Sequence, residues 1–201
     1  MGKSVNTEDN AKRTVKDSVF TDLFGNAKYL LQLYQSLHPE DADVQETDLK
    51  TITLANIFTD DIYNDLGFIK GNKLLILVEA QSTWTANIII RALEYLVNSY
   101  RRYFSENNID LYKSKKAELP KPELYVIYTG DRKSRPDEIT LSEEFFGGEK
   151  TAVEVTVKML YDGKQGDIIN QYVTFTKVVD EQAKLYGRTK KAIQEAIRIC
   201  K

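Results

Sequence analysis

Residues 74–78, Leu-Leu-Ile-Leu-Val, are apolar at every position, and the run stops at Glu79. A strand with one wet face alternates apolar and polar side chains, so an unbroken apolar run suits a strand covered on both faces at the centre of a sheet. Gly71-Asn72 stands just before it and predicts a tight hairpin turn, with residues 62–69 as the other arm. Ile52 and Leu54 alternate with Thr51 and Thr53 and predict an earlier strand. After the central strand, Ile89, Leu93, Leu96, Val97, Tyr100 and Phe104 recur with helical spacing, and Ser82 or Thr83 is the expected cap.

Residues 124–128 read as a short buried strand, and Val153, Val155 and Val157 alternate as a further one. The tail from Asp167 has helical spacing, broken at Gly187. Towards the start, Val19, Phe20, Leu23 and Phe24, then Leu30, Leu31, Tyr34 and Leu37, predict one helix or two, interrupted near Gly25-Asn26. The pattern is that of an α/β protein.

The chain has 201 residues and is 42% hydrophobic, enough for one compact domain, expected over 15–201 behind a polar, disordered lead-in at 1–14. Lys and Arg (28) nearly balance Asp and Glu (30), and the net charge of -2 argues against a non-specific nucleic-acid coater. The polar start is no signal peptide, and the run 74–78 is too short to span a bilayer. One cysteine, Cys200, and one histidine, His38, exclude an internal disulfide and make zinc chemistry a poor fit, as expected of a cytoplasmic protein. His38 follows a helix end and precedes Pro39, where a helix-terminus charge is the default role.

A glutamate ending an apolar strand carries a desolvation cost, so Glu79 needs a cation or several hydrogen bonds. Asp65 lies on the other hairpin arm and approaches Glu79 if the arms pair across Gly71-Asn72, in a register the sequence leaves open. Two close carboxylates repel unless one is protonated or a cation lies between them. Magnesium, or manganese, is the natural candidate, because it takes oxygen ligands together with phosphate and water. Gln81, two residues past Glu79, shares its face on an extended strand and can position water or contact phosphate.

Asp65, the Gly-Asn hairpin, Glu79-Ala80-Gln81-Ser82-Thr83 and a following helix with Arg91 and Tyr95 resemble the recombination-promoting nuclease and putative transposase family of the PD-(D/E)XK superfamily. Asp17-Ser18-Val19-Phe20 and Leu23-Phe24 extend the resemblance, which covers roughly Asp17 to Phe104. It implies a restriction-endonuclease-like core: helix, three strands, helix and strand, with a central mixed sheet flanked by helices. It also implies magnesium-dependent cleavage of DNA. Asp65 then corresponds to the metal-binding aspartate, Glu79 to the second acid, and Gln81 to the position that holds lysine in most of the superfamily. Thr21 stands where the family commonly has lysine, a departure in the first helix.

Other residues have two readings. Asp17 either caps the first helix, the favoured role, or adds an acid to the site. Arg91 and Tyr95, one turn apart on the side away from Ile89 and Leu93, face either phosphate or solvent. Arg101-Arg102, Lys113, Lys115-Lys116 and Arg132-Lys133-Arg135 are basic clusters able to neutralise phosphates if gathered on one side. The expected activity is a metal-dependent DNA endonuclease. The alternative is an inactive DNA-binding or protein-interaction module on the same fold. DNA is the expected partner, no membrane is, and a homodimer is left open.

Overall fold

A computed structural model describes residues 19–20, 23–53, 66–187 and 189–200. The expected lead-in at 1–14, Asp17 and Asp65 lie outside them. Val19, Phe20, Leu23 and Phe24 are helical, and helix α1 (Ala27–Leu37) starts afresh after the expected interruption. Asn26 caps α1, its side-chain oxygen accepting from the Lys28 amide at 3.1 Å. A short 3-10 turn (Glu46–Asp48) leads into β1 (Leu49–Thr53). Strands β2 (Leu66–Lys70) and β3 (Lys73–Gln81) form the hairpin across Gly71-Asn72, with Gly71 at a left-handed φ of 58°.

Helix α2 (Asn87–Glu106) crosses to β4 (Lys121–Tyr128), which is followed by β5 (Glu138–Thr140), helix α3 (Leu141–Phe146) and β6 (Thr156–Leu160). Helices α4 (Ile168–Tyr186) and α5 (Lys190–Ile199) close the chain, separated at Gly187 as expected. The strands form one mixed six-stranded sheet in the order β1-β2-β3-β4-β6-β5. β3, β4 and β6 run parallel, while β1, β2 and β5 pair antiparallel to their neighbours. Strand β3, which carries the apolar run 74–78, is therefore interior, with β2 on one side and β4 on the other.

Two apolar clusters lie on opposite faces of the sheet, and β4 feeds both through its two-residue alternation. Tyr125 and Ile127 pack with Phe20, Phe24, Leu33, Tyr34 and Tyr172 under the N-terminal helical segment, α1 and α4. Leu124, Val126 and Tyr128 pack with Ile88, Ile89, Ala92, Tyr95 and Met159 under α2. Among the described residues no helix is long and apolar enough to cross a membrane.

Three local expectations are corrected. Neither Ser82 nor Thr83 caps α2: both are exposed, the helix starts at Asn87, and Thr85 Oγ1 accepts from the Asn87 amide at 3.2 Å. The core face of α2 holds Ile89 with Leu93, Leu96 and Tyr100 packed beside it, as expected, but it also buries Ile88, Ala92, Tyr95 and Ser99 and leaves Val97 exposed. The strand expected around Val153 begins at Thr156: Val153 is exposed, and Val155, Val157 and Met159 carry the inward alternation.

Candidate functional site at the carboxyl ends of the parallel strands

The backbone of β3 carries Glu79 and Gln81 to the end of the sheet where the parallel strands β4 and β6 also terminate. The last described pair of the hairpin is Leu66 with Leu77; Asp65 directly precedes the first in the chain, and Glu79 is two residues beyond the second. Along β4, Val78 pairs with Val126 but Gln81 pairs with Tyr128, so β3 spends three steps where β4 spends two. An extra residue is thus inserted in the stretch holding Glu79 and Ala80. Such bulges bend a strand and re-aim its side chains, and they recur beside active sites.

Gly130 presses the chain after β4 against the chain after β3. A Cβ there would meet the Ser82 carbonyl oxygen and come within 2.5 Å of the Tyr128 hydroxyl oxygen, closer than real Cβ atoms approach. Glycine at this position therefore sets the spacing of the two loops next to Gln81. The sequence gives only the Thr129-Gly130-Asp131 punctuation after an apolar strand as a sign of it.

From there a row of rings crosses the strand ends. Trp84 meets Tyr128 edge-on at 5.5 Å, and Tyr128 meets Tyr161 edge-on at 6.1 Å. The Arg132 guanidinium lies 3.7 Å over Trp84, and that of Arg135 lies 5.3 Å from the Tyr161 centroid. Arg135 also pairs with Asp162, which Lys177 contacts at 2.6 Å. Hydrogen bonds from Lys177 and Arg135 hold the Asp162 carboxyl below its usual range, against a smaller opposing effect of burial. Burial pushes the Tyr161 hydroxyl up, with Arg132 and Arg135 pulling the other way.

Of the helix residues expected near the site, Arg91 is half-buried and Tyr95 is buried at 4% exposure. Tyr95 thus belongs to the core and not to a phosphate- or solvent-facing side. The basic clusters do not gather. Tyr100 donates to the Pro120 carbonyl at 2.7 Å, which puts the end of α2 with Arg101 and Arg102 beside the start of β4. Arg132, Lys133 and Arg135 follow its end.

His38 stands at the C-cap of α1, the helix terminus where the sequence placed it, but in a covered position. It is 6% exposed, its ring lies against Tyr34 at 4.9 Å, and Nδ1 sits 2.9 Å from Glu40 Oε1. Nearby, Asp41 takes the Tyr34 hydroxyl at 2.6 Å and Lys70 at 2.7 Å. This network lies at the start of β4, away from the carboxyl ends. Among the described residues no group of three or more His, Cys, Asp or Glu side chains is placed to hold a metal ion. The chain matches no family model, no curated protein and no solved structure.

Proposed function

We propose that the protein is a metal-dependent DNA endonuclease of the PD-(D/E)XK type, with Asp65 and Glu79 as the acids and Gln81 beside them. The reading is carried by the position of Glu79-Ala80-Gln81, at the carboxyl end of an interior strand and on its bulge. Ligands of open α/β sheets collect at such strand ends. The element order of helix, β1-β2-β3, α2 and β4 supports a restriction-endonuclease-like core.

The donor set suits a hard cation: two carboxylates and a carboxamide offer oxygen, as magnesium or manganese requires. Such an ion, when bound, supplies polarisation of the phosphodiester and a more acidic water. In this reading Asp65 and Glu79 would hold the ion through their carboxylates. Gln81 orients, since its amide both donates and accepts but carries no charge.

The test is plasmid cleavage with and without magnesium or manganese, by wild type, Asp65→Ala and Glu79→Gln. Metal-dependent nicking lost in both variants is expected. Equal cleavage by folded Glu79→Gln, or cleavage in EDTA, would overturn the assignment. DNA binding without cleavage under any metal would leave the non-catalytic DNA-binding module.

A further inference from the structure

We infer that the loop after β4, with Arg132 set over Trp84 and Arg135 beside Tyr161, is the surface on which a nucleic-acid phosphodiester backbone is held, delivering it to the end of β3, while the buried ring of Tyr128 joins Trp84 to Tyr161 from the core. The inference rests on the nuclease reading and adds the binding surface to it. Three observations converge. The row starts at the catalytic strand, because Tyr128 is the register partner of Gln81 and Trp84 follows Gln81 by three residues. Both arginines come from the single loop after β4, so one segment spans the carboxyl ends of three parallel strands. The guanidiniums are also pre-positioned.

The Arg132 guanidinium carbon lies 3.7 Å from the Trp84 ring centroid, and Arg132 has no ion pair among the described residues, so its N–H donors are spent on no carboxylate. Stacking fixes the plane of a guanidinium while leaving its edge to donate, the geometry that suits bidentate phosphate recognition. Lys133, next in the loop, is exposed and likewise unpaired among the described residues. At the other end, Asp162 fixes Arg135 and is itself shared with Lys177, leaving that trio with an excess positive charge. Asp131 and Asp137 flank the loop, so the positive charge is concentrated in its middle and not spread over a wide basic face.

The experiment is fluorescence anisotropy in EDTA with a fluorescein-labelled duplex and the corresponding single strand, each over a salt series. It compares wild type, the Arg132→Gln/Lys133→Gln/Arg135→Gln triple variant and Lys133→Glu, with melting temperatures as the folding check. Each lost phosphate contact lowers the slope of log affinity against log salt by about 0.9 on duplex and about 0.7 on a single strand. The triple variant is expected to bind at least ~10-fold more weakly with a slope reduced by about 2 to 3. Lys133→Glu, at an exposed side chain, is expected to weaken binding in the same direction. The arm showing the larger slope change identifies duplex or single strand as the ligand.

Unchanged affinity and slope in folded variants would overturn the surface, and so would a wild type that binds neither probe. If variants lose binding while wild type cuts nothing under any metal, the surface stands and the nuclease reading fails. If wild type cuts with magnesium while the variants bind undiminished, the reverse holds.

Discussion

Nε2 of His38 lies 3.0 Å from Glu123 Oε2, joining the end of α1 to the beginning of β4. Both side chains are almost fully covered, at 8% and 11% exposure, and the contact is an ion-pair distance rather than an aligned hydrogen bond. Tyr125 adds a hydroxyl to the same carboxylate oxygen at 2.6 Å. Substituting His38→Ala leaves Glu123 covered with one partner fewer. It is expected to cost roughly 1–3 kcal/mol of stability, read as a lower urea midpoint with an unchanged slope.

The acid limb of stability follows from the same carboxylate. Burial alone would raise the Glu123 carboxyl, but the Tyr125 hydroxyl, His38, Lys158 and Lys73 outweigh it and hold it below the usual range. Asp162 is lowered by Lys177 and Arg135. A folded value below the unfolded one means stabilisation that is complete above the unfolded value, about 4 for these groups. It is lost as pH falls through the lower folded value. Melting temperature should be level from neutrality to about pH 5 and fall steeply below about pH 4. The fall should be shallower in Glu123→Gln, and an identical acid limb in that variant would remove Glu123 from the account.

Gly130→Ala introduces a methyl group into the space held by the Ser82 carbonyl and the Tyr128 hydroxyl. Backbone must move, so a loss of about 1–3 kcal/mol is expected. Because the strained loop adjoins Gln81, cleavage should drop by more than the folded fraction does. Activity normalised to folded protein, measured by circular dichroism, checks this.

Gln81→Ala should slow metal-dependent cleavage by ~10 to ~1,000-fold, the range for one positioned hydrogen bond at a charge-developing centre. Under the proposed metal site magnesium should raise the melting temperature, and that rise should persist in Gln81→Ala. Gln81→Lys should keep more activity than Gln81→Ala, since its cation can offset charge on phosphate. Cleavage rates at saturating magnesium decide it, and an alanine variant as fast as wild type would make Gln81 structural.

The sheet was legible where one period dominated. The apolar run 74–78 announced an interior strand, and Gly71-Asn72 announced the turn that pairs it with β2. On α2, Ile89, Leu93, Leu96 and Tyr100 mark the core side correctly, but Tyr95 and Ser99 count as polar or amphipathic in a pattern and yet are buried in three dimensions, while Val97 is exposed. β5 and α3 escaped notice, being short elements with weak periodicity. Of the site, Glu79 and Gln81 could be placed on a strand, but the inserted residue between Val78 and Gln81 depends on pairing with residues 47 and 48 positions away, Gln81 with Tyr128 and Val78 with Val126. The ring row was illegible for the same reason, since Trp84, Tyr128 and Tyr161 meet only when three strand ends do.

The alternation of β4 also bears on the order in which the protein can assemble during synthesis. Tyr125 and Ile127 join one layer, Leu124, Val126 and Tyr128 the other, so both layers stay incomplete until this strand leaves the ribosome. Until then the apolar β3 lacks its parallel neighbour and offers an unpaired edge. Parallel pairing across a long connection forms late, and exposed strand edges are what aggregation recruits. The interval between emergence of Gln81 and of Tyr128 is thus a period in which the nascent chain needs shielding from other copies of itself.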